Sequence, residues 1–123
     1  MTNSTVSNYV TQVPGELNIE MVKGNDLVFS IEWQYTYQDN VFNMDLTDYT
    51  FNAYVIPEDG SSEIEVTVDV TNYSLGQMNI IITENDLINL LPAKHGWYMN
   101  WTTPAPNSYV QTVLAGVLVL RVK

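Results

Sequence analysis

The chain contains no cysteine, a single histidine, and only four lysine and arginine residues against fourteen aspartate and glutamate. Without cysteine there is no disulfide, no thiolate metal ligand and no thiol nucleophile, so the fold must be held by packing. The lone histidine, His95 in Lys94-His95-Gly96, has no second histidine or cysteine to share a metal and is expected in a solvated turn. The shortage of cations leaves a formal net charge of −10, with Lys23, Lys94, Arg121 and Lys123 scattered along the chain. Nucleic-acid binding needs clustered cations to displace counterions, and docking to an anionic membrane needs them too, so the charge balance argues against both. The acid excess favours solubility and mutual repulsion between copies.

Long apolar runs are missing as well. The closing stretch 113–120 is far shorter than the roughly 20 residues a membrane-spanning helix requires. Met1-Thr2-Asn3-Ser4-Thr5 lacks the basic and apolar regions of a secretory signal, which implies synthesis and retention in a cytoplasm. Motifs that carry chemistry are equally scarce. No glycine-rich phosphate loop and no Gly-x-Ser-x-Gly elbow occurs. Glu58-Asp59-Gly60 lacks the alternating carboxylates and distal glutamate of a calcium loop, and reads as an acidic hairpin turn. Glu63, Glu65 and Asp69 alternate along one expected strand and so point outward rather than converging in a pocket. The expectation is a protein without enzymatic activity, bound cofactor or metal.

What is abundant is the material of β-sheets. Hydrophobic residues make up 46% of the 123 residues, enough for one core in one domain. Leu17, Ile19 and Met21 alternate with polar residues, and Leu27, Phe29, Ile31, Trp33 and Tyr35 do so over a longer span. Further alternating or apolar runs fall at 49–56, 64–70, 78–82, 97–101 and 109–122, separated by turn residues such as Asp59-Gly60. Thr83 reads as an N-cap with Asp86 three residues on, opening a helical turn over 84–91 that Pro92 ends. Gly116, inside the last strand, marks a bulge or a close backbone approach. The fold class implied is all-β: one immunoglobulin-like antiparallel β-sandwich of seven to eight strands with one short helical turn. Residues 16–123 form the sandwich, and the polar residues 1–15, ending in Pro14-Gly15, form an N-terminal arm.

Trp33, Trp97 and Trp101 lie on the apolar sides of their strands, so core packing is the expectation, with a glycan-stacking platform as the competing one. Tyrosines on polar faces or near turns suit a protein interface. The candidate interface residues are Val6, Tyr9, Val10 and Val13 in the arm, together with Tyr37, Tyr54 and Tyr98. For residues 6–13 two readings stand level: a strand added to a neighbour's sheet edge, or a disordered terminus.

Asp45-Leu46-Thr47-Asp48-Tyr49-Thr50-Phe51-Asn52-Ala53 resembles a segment of the small immunoglobulin-like domains of tailed bacteriophages, among them the N-terminal domains of upper baseplate proteins. The same family pattern is similar to residues 76–83, 87–101 and 113–119. The chain departs from it at Asp48, where glycine is usual, and at Ala93-Lys94-His95, which lengthens the turn before Gly96. The resemblance implies a virion structural protein without catalytic residues. Such a protein joins a fibre or receptor-binding part to the tail or baseplate, or else decorates the capsid. Its implied partners are other virion proteins and copies of itself, with no nucleic acid or membrane, and its place is the virion after synthesis in the host cytoplasm. A carbohydrate-binding module is the more distant alternative.

Overall fold

Period-two alternation in this chain becomes strands with one face in a shared core. The computed structural model describes residues 14–123, and ten strands run through them. They are β1 (Gly15–Glu16), β2 (Ile19–Val22), β3 (Leu27–Glu32), β4 (Gln34–Tyr37), β5 (Asn40–Asn43), β6 (Thr50–Ile56), β7 (Ile64–Asn72), β8 (Gln77–Ile82), β9 (Ala93–Thr102) and β10 (Val110–Arg121). The expected arm falls almost wholly outside the described residues, Val6, Tyr9, Val10 and Val13 included. Gly15 already pairs with Leu114 of β10, so strand pairing begins one residue before the expected boundary.

Eight strands form one curled sheet in the order β1-β10-β9-β6-β7-β8-β3, with β2 also on β10, and β4 pairs only with β5. The curl closes into two layers because β7 serves both. Its first residues pair with β6 (Ala53↔Val66, Val55↔Ile64), and its later ones pair with β8 (Thr67↔Ile81 to Asn72↔Gln77). One layer is thus β10-β9-β6 with β1 and β2 along its edge, and the facing layer is β7-β8-β3, as in an immunoglobulin sandwich. The expected antiparallel pairing holds except at that edge, where β1 and β2 run parallel to β10. Between the layers, Leu46, Ala53, Val55, Ile80, Ile82, Met99 and Leu118 are fully buried, and Trp97 nearly so.

Three local departures from the sequence reading have physical causes. The single strand expected over 27–35 breaks at Trp33, whose N–H donates to the Gly76 carbonyl (2.8 Å) while its own carbonyl accepts from Met44 N–H (2.9 Å). Gly76 has φ +67°, and a Cβ there would meet the Met44 and Trp33 carbonyl oxygens at 2.7 and 2.8 Å, so only glycine fits. Beyond the break the chain forms a β4–β5 ribbon. Gln38 and Asp39, both at positive φ, make its two-residue turn.

The helical turn expected over 84–91 is a run of i→i+3 turns with no α-helix: Leu87 N–H bonds to the Glu84 carbonyl, and Leu90 N–H to that of Leu87. Spacing by three is what lets both Leu87 and Leu90 point into the core. The expected cap is present, with Asp86 N–H donating to Thr83 Oγ1 (3.1 Å) and Thr83 N–H to Asp86 Oδ2 (2.9 Å). Asp48, where the phage pattern has glycine, sits at φ +67°, a region aspartate tolerates better than most residues.

Candidate interaction surface

Outward residues of β6, β9 and β10 form rows across the sandwich because the register aligns them. Ala53 and Val55 face the core, which turns Asn52, Tyr54 and Ile56 to solvent. On β9, burial of Trp97 and Met99 turns Gly96, Tyr98 and Asn100 outward. The pairing sets Ile56 beside Gly96 and Val117, Tyr54 beside Tyr98 and Ala115, and Asn52 beside Asn100 and Thr112. The outcome is an apolar row, an aromatic row and an amide row. The aromatic row is a Tyr54–Tyr98 pair with centroids 5.2 Å apart and rings inclined by 31°. The amide row is cross-linked: Thr112 Oγ1 donates to Asn100 Oδ1 (2.8 Å), and Asn52 Nδ2 donates to Glu65 Oε2 (3.1 Å).

Glutamates of β7 and the turn before it border this face. Glu65 lies opposite Tyr54, and the Glu63 carboxylate accepts from the Tyr98 hydroxyl (3.0 Å to Oε1). That hydrogen bond, then burial, then the negative charge of Glu63 push the Tyr98 phenol up to about 12. A raised folded-state value means the contact contributes fully below pH 10 and is lost as pH rises from 10 towards 12. Solvent screening holds the effect to about 1 kcal/mol. Urea denaturation across this pH range is expected to show a steeper alkaline loss for the wild-type chain than for Glu63→Gln; superimposable profiles would contradict the contact.

The ribbon makes a second solvent-facing surface. All its strand residues are exposed, Tyr37 at 61% and Val41 at 62%, and Tyr35 stacks on Phe42 with centroids 5.4 Å apart. At its base Gln34 Nε2 donates to Glu32 and Asn43, and Gln77 Nε2 donates to Glu32 (2.8 Å). Of the candidate interface residues, the structure brings Tyr54 and Tyr98 together on the sheet face and leaves Tyr37 on the ribbon.

With this geometry in hand, comparison with known proteins finds no matching family model and no matching curated protein. Solved structures do match. In fold, the chain is similar to the N-terminal domain of phage TP901-1 ORF48. The TM-score is 0.53 over 89% of this chain and 90% of that one, with 9% sequence identity. At that identity the likeness to the ORF48 domain is one of fold.

The remaining candidates resolve into structural roles. His95, expected in a solvated turn, is instead buried within β9. Its Nδ1 accepts from Glu58 N–H (3.0 Å) and its Nε2 lies 2.9 Å from the Leu91 carbonyl, so the ring ties two loops together. The turn that Ala93-Lys94-His95 was expected to lengthen is the start of that strand. Trp97 is core, as expected. Trp33 and Trp101 are half-buried and pack on one another at 5.3 Å, with Tyr49 edge-on to Trp101. Asp45 and Asp59 bind the hydroxyls and backbone N–H groups of Thr47 and Ser61, which hold both carboxyls below the usual aspartate range. No group of three or more His, Asp or Glu gathers among the described residues. Lys23, read only as a scattered charge, donates to the Leu87, Ile88 and Leu90 carbonyls and closes the i→i+3 segment.

Proposed function

We propose that this chain is a non-enzymatic structural component of a bacteriophage virion, a tail, baseplate or fibre-attachment adaptor that works by protein–protein assembly. The observation that carries the reading is the β4–β5 ribbon, whose Tyr35, Tyr37, Val41 and Phe42 side chains are exposed together on strands that pair only with each other. An isolated two-stranded ribbon is marginal in water, and covering it with another chain stabilises it. The fold likeness to the ORF48 domain supplies the phage context. The partners are other virion proteins and further copies of this chain, and no cofactor takes part. Capsid decoration is the alternative within the same class, differing in copy number and location. A glycan platform built from the tryptophans loses support because Trp97 is buried and Trp33 packs against Trp101.

Quantitative mass spectrometry of purified particles, separated into tails and heads, tests the proposal. A few copies in the tail fraction are expected. Many copies on the head lattice would make the chain a decoration protein, and absence from both fractions would overturn the virion reading.

A further inference from the structure

The outer sheet face has a chemistry that selects its partner. Tyr54 and Tyr98 pack together, half-buried, with ring centroids 5.2 Å apart, and the Glu63 and Glu65 carboxylates stand beside them at the β7 border. Neither carboxylate has a cation: the one ion pair among the described residues joins Arg121 to Glu20 (2.6 Å). Both glutamates are exposed, in a chain carrying −10 overall. An aromatic ring beside carboxylates that lack a cation attracts a guanidinium twice over, by stacking and by forked hydrogen bonds to the carboxylate. An ammonium gains the charge but not the planar fork.

We propose, building on the adaptor reading, that this face receives an arginine-bearing segment of a partner protein. The guanidinium lies over the Tyr54–Tyr98 pair and bonds to Glu63 and Glu65. Ile56 and Val117, 41% and 40% exposed in the neighbouring row, take apolar residues flanking the arginine. Asn52 and Asn100 offer amides to its backbone. A second copy of this chain fits poorly as the occupant. Of its four cations, Arg121 is paired with Glu20 and Lys23 is held by three carbonyls. The partner is therefore a different and more basic protein, and complementary charge raises the rate of encounter as well as the affinity.

The test is NMR titration of the isotopically labelled chain with the capped tripeptide Arg-Gly-Arg and, separately, Lys-Gly-Lys. Saturable shifts centred on Asn52, Tyr54, Glu63, Glu65 and Tyr98 are expected, with the lysine peptide several-fold weaker. Glu63→Gln with Glu65→Gln is expected to weaken the arginine peptide by about tenfold. A charge-matched control, Glu16→Gln with Glu84→Gln on other exposed positions, is expected to weaken it less than threefold. Tyr54→Leu, which keeps apolar area but removes the aromatic face, is expected to reduce the preference for arginine over lysine. The glutamate variants lie in solvent and leave the core intact, so their readout does not depend on refolding. Shifts scattered over the acidic surface, equal loss in the control, or no saturable binding would overturn the proposal. Detection of the chain in particles is scored independently, so failure here leaves the virion reading standing.

Discussion

Replacing Trp97 with alanine is expected to remove about 3–5 kcal/mol of folding stability. The indole is 1% exposed between the layers and meets the Phe29 ring edge-on, with centroids 6.1 Å apart. Its N–H also donates to the Leu17 carbonyl (2.6 Å), which ties the parallel edge to the centre of the sheet. Alanine therefore opens a cavity between the layers and frees a carbonyl at the edge. Domains of this size stand only about 5–15 kcal/mol above the unfolded state, so the variant loses about a fifth or more of its margin. The midpoint of thermal unfolding falls by roughly 12–20 °C. Trp97→Phe, keeping a ring but no donor, is expected to cost about 1–2 kcal/mol. Urea denaturation followed by far-ultraviolet circular dichroism measures both. A loss for the alanine variant no larger than for phenylalanine would mean that the interlayer packing contributes little.

The interior of the sandwich was legible because burial on one face imposes period two, and residues 64–70 and 97–101 carry that period plainly. His95 was missed although the signal was present: the alternation of Trp97, Met99 and Trp101 extends back one step and places residue 95 on the core side. A polar side chain beside Gly96 hid it. The β4–β5 ribbon was not legible, because with every residue exposed no periodic burial marks it. Nor does Gln38-Asp39 resemble the Asn-Gly pair that usually announces such a turn.

The Tyr54–Tyr98 row depends on register across β6 and β9, strands separated by more than thirty residues. Each tyrosine could be named as a surface candidate, but their adjacency follows only once the two strands are paired and aligned. The parallel edge had the same obstacle. Leu17, Ile19 and Met21 show a strand pattern, yet their partner lies at the other end of the chain. Local pattern reports which way a side chain faces, and only the tertiary fold reports what it faces.

Gly116 is where edge and core become one problem, and Gly116→Ala is expected to cost about 2–4 kcal/mol. A Cβ at this position would lie 2.0 Å from the Leu17 carbonyl oxygen, 2.8 Å from its carbon and 2.9 Å from Asn18 Oδ1. The obstruction is largely backbone, so the edge must move. That movement strains three bonds at once: Leu17 N–H to the Ala115 carbonyl (3.0 Å), Val117 N–H to Asn18 Oδ1 (3.0 Å), and the Trp97 indole to the Leu17 carbonyl. Register makes Gly116 the direct neighbour of Trp97, so the missing side chain is what lets the Leu17 carbonyl reach the indole. The expected cost joins an overpacking loss of about 1–3 kcal/mol to about 1 kcal/mol for the displaced hydrogen bond. Hydrogen exchange is expected to show lost protection in Ile19–Val22 while β8 amides stay protected, because detachment of an edge need not open the facing layer. Combining Gly116→Ala with Trp97→Phe is expected to cost less than the two changes summed, since both release the same carbonyl. Strict additivity, or unchanged protection along β2, would mean that the edge is held by its strand pairing alone and that the indole contributes only its bulk.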